Sequence, residues 1–267
     1  MRVVLLQLAA TTESEHNRVA VRKRLERLDG TGTDLVVLPE GSMHDFGETG
    51  GHELAAAAEP IDGPFVEMLV DQARRLQTTI VGHIFERPDD GGLPYNTAVV
   101  IDPTGATVAV YRKIHLYDSF GFVESERLSA GPLAPVVFDV GSFRLGLLTC
   151  YDLRFPEHAR LLVDHGADVF AVPAAWVAGP LKEDHWTTLL RARAIENTAY
   201  VLGAAQCGPR YSARSAVIDP MGIIVAGAGE IEADVTAEIM TERVAEARRR
   251  NPSLANRRLG RTPEHPQ

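Results

Sequence analysis

One cysteine sits where this sequence passes from a strand into a helix. Residues 145–157 read Leu-Gly-Leu-Leu-Thr-Cys-Tyr-Asp-Leu-Arg-Phe-Pro-Glu, an apolar strand, a tight turn and a helix start that suits Pro156. Cys150 in such a turn is expected to have an exposed sulfur, nearby backbone N–H groups and the positive end of a helix dipole, all favouring thiolate. The competing reading is a small buried filler, the commoner use of a free thiol.

Three further residues could serve such a sulfur. Glu40 follows Leu35-Val36-Val37-Leu38-Pro39, which puts a carboxylate at the end of a buried strand, where α/β proteins place their sites. Partial burial there would raise its proton affinity, as a general base for a thiol requires. Lys113 closes the strand-like run Val108-Ala109-Val110-Tyr111-Arg112, where a fixed ammonium could hold an oxyanion. Glu124 lies in Gly121-Phe122-Val123-Glu124-Ser125. Taken singly, each also reads as a solvated loop or strand-end charge.

The elements that must position these residues alternate along the chain. Strands are expected at 3–8, 35–38, 79–85, 136–140, 143–149, 169–172 and 200–205, and helices at 14–28, with Ser14 as N-cap, 65–76, 155–165, 182–197 and 238–251. Two hairpins stand out: 95–101 with 106–113 around Asp102-Pro103-Thr104-Gly105, and 216–218 with 223–226 around Asp219-Pro220-Met221-Gly222. This pseudo-repeat and the mixture of hairpins with crossovers predict an α/β fold of two mixed sheets packed together with helices outside. No linker-like segment interrupts residues 1–267, so one domain is expected, ending in a tail from about 248 to 267.

Composition narrows the function classes. The net charge of -9 and pI near 5.5 disfavour duplex DNA or an anionic membrane as partner. The two cysteines, Cys150 and Cys207, supply neither a disulfide framework nor a zinc-binding pair. The apolar N-terminus is broken by Gln7 and reads as a first strand rather than a signal peptide, and no run is long enough for a membrane helix. A cytoplasmic location is the expectation.

The order of the segments carries more than any one of them. Strand–Pro–Glu40, Tyr-Arg-Lys113-Ile-His-Leu, Phe-x-Glu124-Ser and Cys150-Tyr-Asp-x-Arg-Phe-Pro-Glu follow one another, and then come Val172-Pro173-Ala174-Ala175-Trp176 and residues 191–200. This pattern resembles the nitrilase (carbon–nitrogen hydrolase) superfamily over nearly the whole chain. It is most similar to the Nit branch, which includes omega-amidases and deaminated-glutathione amidases. The resemblance implies an α-β-β-α sandwich that pairs into a homodimer through two four-layer halves. It implies Glu40 as general base and acid, Lys113 as stabiliser of the tetrahedral intermediate, Glu124 as its support and Cys150 as nucleophile. It also implies an oxyanion contact from the Tyr151 N–H, a small amide as substrate, and no metal or organic cofactor.

Several details stay open in the sequence. Tyr211-Ser212-Ala213-Arg214-Ser215 departs from the Gly-His-Ser of Nit-like proteins, so Arg214 either meets a substrate carboxylate or, as favoured, a surface acid. Arg154 and Glu157 are expected to brace the turn as a buried ion pair. Trp176 either walls the substrate pocket or fills core, and Cys207 is expected to be structural. Cys150-Tyr151-Asp152 disfavours nitriles, since true nitrilases usually carry Cys-Trp-Glu. N-carbamoyl cleavage, a thiol redox sensor and a silent binding protein remain the alternatives. The six arginines from Arg248 to Arg261 suggest a basic arm meeting an acidic surface on a second copy.

Overall fold

The computed structural model describes residues 1–47 and 53–259. Its strands are β1 (Arg2–Gln7), β2 (Leu35–Val37), β3 (Thr79–Glu86), β4 (Tyr95–Ile101), β5 (Thr107–Arg112), β6 (Asp118–Ser119), β7 (Phe122–Val123), β8 (Val137–Val140), β9 (Phe143–Leu147), β10 (Val169–Ala174), β11 (Tyr200–Ala205), β12 (Ala216–Ile218), β13 (Ile224–Gly227) and β14 (Ala233–Glu238). Its helices are α1 (Ser14–Glu26), α2 (Glu53–Ala57), α3 (Pro64–Leu76), α4 (Pro156–Asp164), α5 (Lys182–Asn197) and α6 (Thr241–Arg250).

The two six-stranded sheets share one plan. In order β14-β1-β2-β3-β4-β5, the first has three parallel strands, β1 to β3, then an antiparallel hairpin. In order β8-β9-β10-β11-β12-β13, the second repeats that plan. The repeat extends to hydrogen bonds: Asp102 Oδ1 accepts from Thr104 N and Ala106 N, and Asp219 Oδ1 accepts from Met221 N and Ile223 N. Gly105 and Gly222, both at φ +81°, close the two turns in a region that a side chain disfavours.

Strand periodicity builds the layers. Val3 and Leu5 point into the core shared with Leu145, Leu147, Ala171 and Leu202 of the second sheet, whereas Val4 and Leu6 join α1 and α3 residues such as Val21, Leu25 and Leu69. On the far side, Leu162 of α4 and Trp186 and Leu190 of α5 cover the second sheet. The result is the expected α-β-β-α sandwich.

Some boundaries differ from expectation for local reasons. α1 stops at Glu26, and its cap position falls to Glu13 rather than Ser14. The helix expected over 238–251 begins only at Thr241, because Glu238 ends β14 against β1. β14 buries only Val235 and carries little strand pattern of its own; pairing with β1 makes it a strand. The helix expected from Phe155 starts at Pro156, because residues Cys150–Arg154 form a separate 3-10 turn. Residues 251–259 run beside α4, where Arg257 pairs with Asp164 at 2.5 Å, and Arg248 pairs with Asp168 at 2.7 Å. These two arginines therefore meet acids of their own chain; Arg261 lies outside the described residues. Among the described residues, no helix is long and apolar enough to cross a membrane.

Candidate active site

Parallel strand ends from both sheets converge on one place. Leu38 and Pro39 lead from β2 to Glu40, Leu148 and Thr149 lead from β9 to Cys150, and Ala175 and Trp176 directly follow β10. Lys113 follows β5, and Glu124 opens a 3-10 turn, Glu124–Glu126. Gly131 clamps the lysine's strand end: its N–H donates to Lys113 O at 2.8 Å, and a Cβ there would lie 2.1 Å from Arg112 O. No other residue fits so close an approach.

The four residues singled out for chemistry come together and are all buried. Lys113 Nζ lies 3.0 Å from Glu40 Oε1 and 2.9 Å from Glu124 Oε2. Glu40 Oε2 accepts from Ala175 N at 2.7 Å, so the end of β10 orients the carboxylate. Tyr117 N donates to Glu124 Oε2 at 2.6 Å. Asn96 Nδ2 donates both to Glu40 Oε1, at 2.7 Å, and to Glu124 Oε1, at 3.0 Å.

Electrostatics here correct two expectations. The Cys150 sulfur is not exposed, and burial together with the facing Glu40 carboxylate pushes the thiol well above its ordinary range. It rests as a thiol, not a thiolate, because burial and the negative charges of Glu40 and Glu124 outweigh the Lys113 ammonium. Burial alone would raise Glu40, as expected, but Lys113, His83 and hydrogen bonds from Asn96 and Ala175 N bring it below the usual carboxylate range. Burial and Glu40 push Glu124 upward. Burial disfavours the Lys113 charge, but Glu124 and Glu40 outweigh it and hold the ammonium far above its ordinary range. An ionised carboxylate thus faces a protonated thiol, the starting state for proton transfer.

Cys150 itself takes φ +46°, a left-handed conformation costing a non-glycine residue on the order of 1–3 kcal/mol. Asp152 holds the turn. Its carboxylate accepts from Thr149 N at 2.8 Å and Tyr111 Oη at 2.6 Å, and His115 Nδ1 lies 2.7 Å away. The segment following Lys113 and the turn carrying Cys150 are thereby tied through one buried carboxylate. Asp152, His115 and His158 also form the one group of potential metal-ligand atoms close together among the described residues, within 4.8 Å.

The bracing ion pair between Arg154 and Glu157 does not form. Glu157 points to solvent, while Arg154 turns into a cavity of about 290 Å³ lined by Glu40, Lys113, Glu124, Cys150 and Tyr151. There its guanidinium lies 4.8 Å over the Trp176 ring, and its Nε is buried without a hydrogen-bond partner. Lys182 joins it, donating to Tyr117 Oη at 2.6 Å with its ammonium 4.0 Å over Phe120. Burial and then Arg154 lower the Lys182 pKa. Among the described residues neither cation has a carboxylate partner. Trp176 serves both readings: it lines the cavity and packs 5.5 Å from Trp186. Arg214 lies at the surface, 3.9 Å from Glu230, away from this cavity. Cys207 is a free, buried thiol that does not line it.

Sequence reasoning missed Asn96, Lys182 and the backbone of Ala175. Asn96 left a signal: it shares the inward face of β4 with Ala98 and Val100, where a polar side chain needs a partner. Lys182 and Ala175 acquire their roles only when α5 and the end of β10 meet the other strand ends.

Comparison with known proteins agrees with this architecture. A family model described as carbon-nitrogen hydrolase matches residues 2–249. A deaminated glutathione amidase of Escherichia coli O157:H7 is 38% identical over 265 residues, covering 97% of this chain and 98% of its own. A CN-hydrolase superfamily protein from Xanthomonas campestris, solved with an arsenic adduct in its active site, superposes with a TM-score of 0.88 at 31% identity, covering 98% and 99% of the two chains. Saccharomyces cerevisiae Nit3, of branch 10 of the nitrilase superfamily, gives a TM-score of 0.83 at 28% identity over 94% of each chain.

Proposed function

This chain belongs to the carbon–nitrogen hydrolase family and is an amidase-like enzyme, and from that premise we propose that it cleaves a short amide bearing a carboxylate through a thioester on Cys150. One observation carries this: a single cavity holds the Cys150 thiol, the Glu40–Lys113–Glu124 cluster and two cations, Arg154 and Lys182, that have no carboxylate partner among the described residues.

In the proposed cycle Glu40 takes the Cys150 proton while sulfur bonds to the amide carbon. The carbonyl electron pair moves to oxygen, which Lys113 and the Tyr151 N–H hold. Lys113 stays protonated because two carboxylates flank it. When the tetrahedral adduct collapses, its C–N bond breaks, and Glu40 passes its proton to the departing nitrogen. Glu40 then deprotonates water, which attacks the thioester; the departing sulfur takes the proton back, and the carboxylic acid leaves. Glu124 orients the lysine. The substrate carboxylate lies between Arg154 and Lys182, whose charges it would partly offset in a largely apolar, aromatic pocket.

The E. coli relative's substrate class, deaminated glutathione, meets this description and is the first compound to test. Release of ammonia or amine would be compared across deaminated glutathione, dicarboxylic monoamides, N-carbamoyl amino acids and nitriles. Turnover is expected for the carboxylate-bearing amides. Turnover confined to nitriles or uncharged amides would overturn the reading.

The two free cysteines support a reducing, cytoplasmic setting for the reaction. Exposed Leu161 on α4 and Ile195 on α5 support a homodimer through the outer helices of the second sheet. Light scattering should then give a dimer for the wild type and a monomer for Leu161→Arg; a monomeric wild type would remove the dimer.

A further inference from the structure

Behind Glu40 lies a short hydrogen-bond chain whose proton positions the geometry dictates. Gly41 N lies 2.9 Å from His83 Nδ1, and a backbone N–H can only donate, so Nδ1 carries no proton. Burial holds the His83 imidazole down to about 4, so at neutral pH the ring is uncharged and its one proton sits on Nε2. That Nε2–H donates to Asn96 Oδ1 at 2.5 Å. The Asn96 amide therefore cannot flip, and its two N–H bonds point at Glu40 Oε1 and Glu124 Oε1. His83 and Asn96 are both fully buried on neighbouring strands β3 and β4.

We propose that Asn96, oriented by His83, is a positioning residue that keeps the Glu40 carboxylate charged and aimed so that it can take the Cys150 proton. This rests on the reading of Glu40 as base. Two carboxylates held by one ammonium carry a net negative charge, and the second carboxylate then competes for a proton. The Asn96 amide puts one N–H on each, which lowers the proton affinity of Glu40 without adding a charge that would weaken Lys113 as an oxyanion partner. An aspartate at this position would add a third carboxylate, and a lysine a second ammonium. The groups facing Glu40 are Lys113, Glu124, His83, Cys150 and Tyr211, so its protonation answers to all of them. Unlike the Cys150 thiol, Asn96 is a neutral side-chain donor to Glu40 that keeps its proton throughout.

The test follows alkylation of Cys150 by iodoacetamide against pH, read on the Cys150 peptide by mass spectrometry, beside kcat and KM for release of ammonia or amine. Asn96→Leu should move the acid limb of both profiles up by about one pH unit and lower kcat at least tenfold with little change in KM. A folded Asn96→Leu protein with the wild-type acid limb overturns the proposal. Should that variant not fold, His83 decides. His83→Leu frees the amide to flip and should shift the limb in the same direction. His83→Gln can accept from Gly41 N and donate to Asn96, and should return activity to within a few-fold of wild type. Equal profiles for His83→Leu and wild type overturn the proposal. Independently of any substrate, ¹⁵N NMR of the imidazole should show the Nε2–H tautomer at pH 7, and the Nδ1–H tautomer would refute the orientation. Should every amide fail as substrate, the alkylation and NMR results still stand on their own.

Discussion

Lys113 Nζ lies 3.0 Å from Glu40 Oε1, deep in the protein, and the same ammonium touches Glu124. The lysine thus does two jobs: it keeps Glu40 ionised and places a positive charge near the thiol. Lys113→Met should lower kcat by on the order of 10²-fold or more with a smaller effect on KM. It should also raise the acid limb of the pH profile, because Glu40 loses its main attraction to charge. A raised KM with unchanged kcat would instead make Lys113 a substrate-binding group.

Cys150 rests protonated beside an ionised base, which gives its reactivity an unusual pH dependence. A solvated thiol gains reactivity as it ionises through about pH 8.5. Here burial and Glu40 push thiol ionisation far higher, and Glu40 is charged from below the usual carboxylate range upward. The alkylation rate of Cys150 should therefore be nearly flat from pH 6 to 9, and Glu40→Gln should abolish that plateau. A simple thiolate titration near pH 8.5 in the wild type would contradict the resting state.

Arg154 and Lys182 should separate charged from uncharged substrates. Arg154→Met should raise KM for a carboxylate amide by roughly 10- to 100-fold, the loss of a charge-assisted contact. Its effect on an uncharged amide of the same length should be small. Lys182→Met should behave alike, since the two cations face the same space. Equal losses on both substrates would assign these side chains to packing.

Asp152 ties the Cys150 turn to the segment after Lys113, so its loss should cost both stability and rate. Burial would raise this carboxyl, but hydrogen bonds from His115 and Tyr111, with the His158 ring 3.8 Å away, hold it far below the usual range. A depressed pKa means stability is fully present above about pH 4 and is lost as pH falls toward the folded value. Asp152→Asn should lower stability on the order of 2 kcal/mol between pH 5 and 8. Thermal unfolding should show the gap to wild type narrowing below pH 4, and a pH-independent gap would count against the network.

The sequence exposed the layers and four residues of the candidate site that the structure brings together, for reasons that differ by residue. Strand–Pro–Glu40 and the Cys150 turn were legible because apolar runs end abruptly in polar residues there. Lys113 and Glu124 were legible only through the order of the whole pattern. The burial of Cys150 was not, because Glu40 and the β10 residues that share its apolar cluster, such as Val172 and Ala174, are distant in the chain. Arg154 looked like half of an ion pair with Glu157, but Pro156 starts α4 and leaves Glu157 on its solvent side. β14 lacked a pattern because its partner β1, at the other end of the chain, decides its conformation.

The central claim is a covalent thioester on Cys150, and rapid-quench mass spectrometry of the enzyme turning over a carboxylate amide tests it most directly. The account predicts the substrate's acyl mass on the peptide containing Cys150, removable by hydroxylamine, with no adduct and no turnover in Cys150→Ala. Release of ammonia or amine by Cys150→Ala within tenfold of wild type would contradict it.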